Sequence, residues 1–144
     1  MRPDLTEEIL PALMTWLSAV REYSGRVAKA AGIGVTDLEA LHELAQEGPM
    51  SSGLLARRLC VTTGAITHLV DRLQDADLVR RVPDPADRRR VLVEISPEAA
   101  ERIRCDYRPL VDAVRGTLSA LDVTEQQSVL RFLTAGTADV RTLR

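Results

Sequence analysis

The chain has 144 residues, of which 45% are hydrophobic and 28% charged, a balance typical of a globular domain and not of a disordered segment. Aromatic residues make up only 3%, too few for the stacking platforms of proteins that bind single-stranded nucleic acid. The formal net charge is -2, no apolar run could span a bilayer, and the stretch MRPDLTEEILPAL lacks the basic and apolar regions of a secretory signal, so we expect one cytoplasmic domain without membrane contact.

Helical periodicity dominates the first part of the chain. Apolar residues spaced three and four apart predict a long first helix over residues 6–30, which Gly32 and Gly34 end. Thr36 and Glu39 form a capping-box pattern, which predicts the start of a second helix. The apolar stripe of the first helix contains Ile9, Leu10, Leu13, Leu17, Val20 and Val27.

Two shorter helices are predicted next. Ser51 or Ser52 is expected to cap the first of them, and Thr62 the second, because hydroxyl side chains satisfy free N–H groups at helix starts. The second of these helices is expected to end near Asp77. Its buried face is predicted to hold Ile66, Leu69, Val70 and Leu73. The opposite face would present Gly64, Thr67, His68 and Asp71.

After Leu78 the hydrophobic period changes to two, which predicts a β-hairpin with an extended tip. The stretch RRVPDPADRRRV forms this tip, and Asp87 is placed to orient a neighbouring guanidinium by a bidentate pair. Eight arginines and five acids between residues 57 and 90 give that segment a net charge of +3, while the remainder carries -5. Such a basic segment is typical of a surface that binds a polyanion. A solvated, salt-bridged face is the open alternative.

Two long helices are predicted at the end of the chain. Ser96-Pro97-Glu98 is a strong helix start. The helix that follows is expected to reach about residue 121 and to bend at Pro109. A second capping-box pattern, Thr124 to Gln127, predicts the start of the last helix.

Three short helices followed by a hairpin form the order of a winged helix-turn-helix, so the fold class is predicted as mainly α with a small β-wing. In a helix-turn-helix, the later helix enters the major groove of DNA. Small and hydrogen-bonding residues near the start of that helix, and arginines at the hairpin tip, suit the major and minor grooves respectively.

The run LARRLCVTTGAITHLVDRLQDADLVRRVPDPADRRRVLVEIS is similar to the DNA-binding core of the MarR family of bacterial transcriptional regulators. The most specific match is Asp87-Arg88-Arg89, which resembles the Asp-x-Arg signature of the family's wing. The resemblance implies that Arg89 enters the minor groove and that the first, fifth and sixth helices form a dimerisation region. It also implies that ligands bind between the dimerisation and DNA-binding parts. The residues implied for the major groove are Thr63, Gly64, Thr67 and His68.

The sequence also departs from the family pattern. His68 occupies a position that arginine or lysine often fills, so the base preference cannot be transferred. Asp77 stands where glycine usually ends the recognition helix. The segment from Ile95 to Ala99 replaces the usual Leu-Thr-x-x-Gly.

These patterns predict a homodimer that binds double-stranded DNA at a pseudo-palindromic operator, as a repressor that responds to a small apolar or aromatic effector and needs no cofactor. Residues 1–34 and 97–144 are predicted to form the helical dimerisation region of a single compact chain, with long N- and C-terminal helices, and residues 35–96 the DNA-binding region. The predicted DNA-binding residues are Ser51, Ser52, Thr62, Thr63, Gly64, Thr67, His68, Arg72, Asp87, Arg88, Arg89 and Arg90. The predicted dimerisation residues are Leu10, Leu13, Leu17, Leu130, Phe132 and Leu133.

Other functions have weaker support. Cys60, close in sequence to Arg57 and Arg58, raises the possibility of a redox sensor, although a buried structural thiol is the interpretation we favour. The two cysteines of the chain, Cys60 and Cys105, do not make a disulfide framework.

A metal site would need more converging ligands than Glu39, His42 and His68 offer. An enzyme is disfavoured because nothing supplies a nucleophile elbow or an oxyanion hole beside His68 and Asp71. A dimeric winged-helix protein that acts through protein partners remains as an alternative, since most of the chain is acidic.

Overall fold

The computed structural model describes residues 4–143, which form six helices and one two-stranded antiparallel sheet. This confirms the predicted fold class, mainly α with a small β-wing in the order of a winged helix-turn-helix. The elements are α1 (Thr6–Ala31), α2 (Val35–Glu47), α3 (Ser52–Arg58), α4 (Thr63–Asp75), β1 (Val79–Pro83), β2 (Val91–Ile95), α5 (Pro97–Ser119) and α6 (Val123–Thr142).

The described residues pack as two compact units, the first ending at Asp106 and the second beginning at Tyr107. Helix α5 therefore contributes to both units. The dimerisation and DNA-binding regions predicted from the sequence have boundaries that differ from those of these two units, and the division into those regions stays a prediction. Within residues 4–143, no helix is long and apolar enough to cross a membrane.

The core of the first unit lies between α2, α3, α4 and the hairpin, and it is built from aliphatic side chains. The apolar face predicted for α4 is confirmed, because its four residues are at most 4% exposed. Burial of each such side chain contributes roughly 1.5–3 kcal/mol to stability. The largest fully buried side chains are Leu41, Leu44, Leu55, Ile66, Val70, Leu73 and Val93.

The hairpin is anchored to this core at its base. Strands β1 and β2 pair in an antiparallel register that places Arg81 opposite Val93 and Pro83 opposite Val91. On the other edge of β2, the Met50 N–H donates to the Val93 carbonyl at 3.1 Å, and the Val93 N–H donates to the Met50 carbonyl at 2.8 Å. The base of the wing is therefore held on both sides, and its tip extends away from this anchor.

Hydroxyl side chains begin the two helices of the helix-turn-helix, as predicted. The Ser51 hydroxyl oxygen accepts from the Leu54 N–H at 3.2 Å and caps α3. The Thr62 hydroxyl oxygen accepts from the Ala65 N–H at 3.2 Å and caps α4. The sequence therefore locates the start of both helices correctly.

The two predicted capping boxes are wrong by two residues. Helix α2 begins after Gly34, whose N–H donates to the Asp37 carboxylate at 3.1 Å. Helix α6 begins after Asp122, which accepts from the Glu125 N–H at 2.9 Å and donates its own N–H to the Glu125 carboxylate at 2.8 Å. Thr36 and Thr124 lie inside these helices because the carboxylates of Asp37 in α2, and of Asp122 and Glu125 in α6, bond to N–H groups two residues nearer the start than the predicted boxes would.

The end of α4 places an aspartate in a conformation that favours glycine. Asp77 has a φ of 56°, and the Leu78 N–H then donates to the Leu73 carbonyl at 2.9 Å. This hydrogen bond closes the helix and turns the chain into β1. Asp77 thus takes the left-handed conformation at the position where the MarR family usually has glycine.

Asp77→Gly is expected to stabilise the chain. The left-handed conformation costs an L residue roughly 1–2 kcal/mol, and glycine loses roughly 0.5–1 kcal/mol more conformational entropy on folding. We therefore expect a gain of about 0.5–1 kcal/mol in the free energy of unfolding, measured by urea denaturation. The control Asp75→Gly lies inside the last turn of α4 and should lose stability by a similar amount. Equal losses in both variants would contradict this assignment of backbone strain.

In the second unit, the final part of α5 and helix α6 flank an apolar groove of about 600 Å³. Pro109 lies inside α5, and the bend predicted there stays a prediction. Most apolar side chains of α6 are exposed, so this unit buries little of its own apolar surface. The groove is lined by residues that include Leu110, Val114, Leu118, Val129, Leu130 and Leu133.

Candidate nucleic-acid interface

Helix α4 presents a polar face to solvent. Thr63, Gly64, Thr67 and His68 are all exposed, opposite the buried apolar face. The Thr67 hydroxyl donates its proton to the Thr63 carbonyl at 2.9 Å. Its outward side therefore offers a methyl group and oxygen lone pairs, which suit a thymine methyl or an exocyclic amine of a base.

Gly64 leaves this face open. A Cβ placed at Gly64 would meet no atom within 4 Å beyond the two neighbouring residues and the adjacent helix backbone, so packing inside the protein does not require glycine here. Glycine inside a helix costs roughly 1 kcal/mol relative to alanine. The open space at Gly64 would allow another surface to approach the helix backbone closely.

Four of the predicted DNA-binding residues lie at the starts of α3 and α4. Ser51 and Thr62 use their hydroxyl oxygens as caps, which leaves each hydroxyl proton available to donate to a phosphate. Ser52 is the first residue of α3, and Thr63 is the first residue of α4. Both positions lie at the positive end of a helix dipole.

Two aspartate side chains order the wing tip, because each accepts a hydrogen bond from the backbone N–H two residues further along the chain. The Asp84 carboxylate accepts from the Ala86 N–H at 2.8 Å, and the Asp87 carboxylate accepts from the Arg89 N–H at 3.1 Å. The bidentate pair predicted for Asp87 is wrong. The second carboxylate oxygen of Asp87 lies 3.7 Å from Nε of Arg90, which is one long ion-pair contact. The first oxygen is not available for a second contact because it accepts from the backbone N–H of Arg89. Asp87 thus shapes the loop more than it holds a guanidinium.

Carboxylates neutralise much of the positive charge that the sequence places between residues 57 and 90. Arg58 pairs with Glu43 at 2.9 Å, and this hydrogen bond raises the pKa of Arg58. Arg80 pairs with Glu94 at 2.6 Å across the hairpin. Arg81 pairs with Asp71 of α4 at 2.7 Å and also bonds to Gln74. In residues 4–143, the arginines of this segment with no carboxylate within 4.0 Å are Arg57, Arg88 and Arg89.

Arg72, which the sequence predicts as a DNA-binding residue, has a carboxylate partner inside the chain, and its contact with DNA stays a prediction. Its guanidinium forms an ion pair with Asp37, with Nη2 at 2.6 Å from the carboxylate. The hydrogen bond to Asp37 and the charge of Asp37 raise the pKa of Arg72. Sequence reasoning missed Asp37 altogether. The signal that could have found it is a carboxylate three residues after Gly34, just before the apolar face of α2.

The interpretation of Cys60 as a buried thiol is wrong. Cys60 is exposed and has a φ of 54° in the turn between α3 and α4. The tight turn imposes this backbone conformation and directs the side chain outward. Its thiol approaches the Arg57 carbonyl at 3.8 Å. Cys105 on α5 is exposed as well.

The three residues considered as metal ligands differ in their exposure to solvent. Glu39 and His68 are exposed, while burial lowers the pKa of the half-buried His42. Across the described chain, no three His, Cys, Asp or Glu side chains converge in a way that could hold a metal ion.

Comparison with known proteins agrees with this fold. A family model described as MarR family matches residues 33–91. The HTH-type transcriptional regulator YcgE of Bacillus subtilis (strain 168) is 36% identical over 111 residues, which cover 77% of this chain and 71% of that protein.

The fold of this chain is also similar to that of solved structures. The crystal structure of RV1404 from Mycobacterium tuberculosis has a TM-score of 0.72 and 25% identity, and the match covers 96% of both chains. A MarR family protein from Bacillus stearothermophilus has a TM-score of 0.73 at 21% identity, over 99% of this chain and 100% of that one. At that identity, the second likeness concerns the fold alone.

Proposed function

The chain belongs to the MarR family of transcriptional regulators, and we propose that it acts in the cytoplasm as a homodimeric repressor. In this proposal, the dimer binds double-stranded DNA at a pseudo-palindromic operator, and a small apolar or aromatic effector releases it. No catalytic activity is proposed. Two-fold symmetry requires the two copies of α4 to meet half-sites about one DNA turn apart.

One observation carries the DNA-binding part of the proposal. An open polar face on α4 is followed in the same compact unit by a hairpin whose tip presents Arg88 and Arg89 without carboxylate partners in the described residues. The polar face suits base edges in the major groove, and an unneutralised guanidinium suits the strong negative potential of a narrow minor groove. The mild overall acidity of the chain limits non-specific attraction and leaves this face as the basic one.

A small cavity supports the effector part of the proposal. Within the first unit, α1, α2, Leu78 and the start of α5 surround a space of about 30 Å³. This volume suffices for one or two water molecules and not for an organic effector. An effector would therefore bind a more open state of this region and shift the population towards it. The lining is mostly apolar and also contains the charged Arg102 and Asp106. Its apolar part, which includes Val27, Ile33, Leu38, Leu41 and Ile103, suits an apolar or aromatic compound.

A salt titration tests the proposal. The protein is titrated with a random-sequence duplex and with a duplex that it selects from a random library, at several salt concentrations. Counterion release predicts that log K falls linearly with log salt. Arg88 and Arg89 in each of two protomers predict a slope of about -3.6, at about -0.9 for each neutralised phosphate. The absence of duplex binding at low salt would instead favour a winged-helix protein that acts through protein partners.

A further inference from the structure

Asp37 is the only charged side chain that the described part of the chain buries, with 5% of its surface exposed. Its Oδ1 accepts from Nη2 of Arg72 at 2.6 Å. Its Oδ2 accepts from Nε of Arg72 at 3.4 Å and from the Gly34 N–H at 3.1 Å. One carboxylate therefore joins the first turn of α2 to the last turn of α4.

The position of this pair needs a physical reason. Removing a carboxylate from water is costly unless a cation and hydrogen bonds compensate for the lost hydration. Arg72 supplies both through a two-point contact, and the other side of its side chain, 60% exposed, faces solvent. An aliphatic side chain at position 37 would avoid this cost but would leave the Gly34 N–H without its partner. Capping of α2 therefore accounts for the carboxylate, and the two-point contact with Arg72 needs a further reason.

The geometry of α4 supplies the reason. The apolar face of α4 packs against aliphatic neighbours, and such contacts are non-directional. A two-point ion pair is directional and restricts both the rotation of α4 and its position along its axis. Arg72 lies one helical turn after His68, on the helix that presents Thr67 and His68 to solvent. Any rotation of α4 would displace these side chains relative to a DNA groove.

We propose that Asp37 is a positioning residue for DNA recognition, which holds α4 in its binding orientation through Arg72. In this role, Arg72 serves the interface through Asp37 and not through a phosphate. The inference rests on the proposed function, because it concerns the same α4 surface.

The two roles of Arg72 predict opposite effects for Asp37. If Arg72 contacts a phosphate, removing the nearby negative charge of Asp37 strengthens DNA binding. If Asp37 positions α4, removing its charge weakens binding to a selected sequence, although the net charge of the protein becomes more positive. Binding to random duplex, which depends on charge and not on base contacts, is then almost unchanged.

The experiment compares three full-length variants with the parent, on a duplex that the parent selects from a random library and on random-sequence duplex. Asp37→Asn and Arg72→Gln should each lower affinity for the selected duplex about tenfold, which lies within the range of measured couplings. The slope of log K against log salt should stay unchanged in both variants. The control Glu43→Gln removes a negative charge from a more exposed carboxylate on the same helix, whose side chain is 30% exposed against 7% for that of Asp37, and should bind within about twofold of the parent.

Folding is checked for each variant by circular dichroism and thermal denaturation. If Asp37→Asn does not fold, Arg72→Lys provides the test, because position 72 is the exposed end of the ion pair. The lysine keeps the positive charge but cannot form the two-point contact with the carboxylate. It should bind random duplex as the parent does and bind the selected duplex more weakly. Full affinity of Arg72→Lys for the selected duplex would overturn the inference.

Two other results would also overturn it. One is binding of Asp37→Asn to the selected duplex as tight as that of the parent or tighter. The other is a salt slope for Arg72→Gln that is smaller by about 1, the signature of a lost phosphate contact. In both cases the proposed function stands, because the parent still binds DNA. If the parent binds no duplex at all, the proposed function fails together with this inference.

Discussion

Arg89→Ala is expected to lower the affinity for a selected duplex about 30-fold and to leave the homodimer intact. Arg89 lies at the wing tip, where the Asp87 carboxylate fixes its backbone N–H and no carboxylate of the described chain lies within 4.0 Å of its guanidinium. A hydrogen bond that involves a charged group contributes about 2 kcal/mol, which corresponds to the 30-fold change. Fluorescence anisotropy at physiological salt gives the affinity, and sedimentation gives the oligomeric state.

The hairpin itself provides a matched control. Arg80→Ala removes the same charge from β1, but Glu94 already neutralises that guanidinium at 2.6 Å. It should therefore change the affinity by no more than about threefold. Arg88→Ala distinguishes the two unpaired tip arginines, and we expect the smaller loss there. Binding of Arg89→Ala at the level of the parent would show that the wing assignment is wrong.

Sequence patterns within a few residues predicted most of the helices and the hairpin, because these elements depend mainly on residues close together in the chain. The spacing of Ile66, Leu69, Val70 and Leu73 defines the buried face of α4, and all four are buried. The hydroxyl caps at Ser51 and Thr62 and the change of period after Leu78 are equally local signals. The misplaced starts of α2 and α6 show the limit of the capping rule, since it does not rank two overlapping candidates for the same cap.

The candidate site was less predictable because it depends on distant pairs. The contact of Asp37 with Arg72 joins residues 35 positions apart, and no hydrophobic periodicity in the sequence predicts such a contact. Counting charges along the sequence predicted a basic segment, with a salt-bridged face as the alternative, but it could not identify Arg58, Arg80 and Arg81 as the arginines that carboxylates neutralise. The exposure of Cys60 depends on the backbone of a tight turn, which composition does not reveal.

Exposed apolar side chains on α1 and α6 support a dimer in which these helices are covered. In an isolated chain, Leu10, Leu17 and Phe132 would each keep about half of their surface in contact with water. Single exposed apolar residues are ordinary, but several large ones along one helix, as on α1 and again on α6, are typical of an interface. The groove of about 600 Å³ beside Leu130 and Leu133 extends the apolar surface within the second unit.

Leu130→Asp is therefore expected to produce a monomer whose affinity for a pseudo-palindromic duplex is lower by about 100-fold or more. Leu130 is 65% exposed, so a charged side chain there costs the single chain little. In a dimer, the same carboxylate would be buried without a partner, at a cost of several kcal/mol. The two half-sites are then bound independently, and the gain from linked binding, about 10²–10⁴, is lost. Sedimentation gives the mass, and titration with full-site and half-site duplexes gives the affinities.

Val35→Asp is the matched control for this experiment. Val35 is also an exposed apolar residue, but it lies at the start of α2 in the first unit, outside the predicted interface. This variant gains the same negative charge and should remain a dimer. Because a single half-site depends on α4 and the wing alone, Leu130→Asp should bind a half-site duplex as tightly as Val35→Asp does. If Leu130→Asp stays dimeric and binds the full site as Val35→Asp does, then α6 does not form the interface, and the two recognition helices must be brought together by another surface.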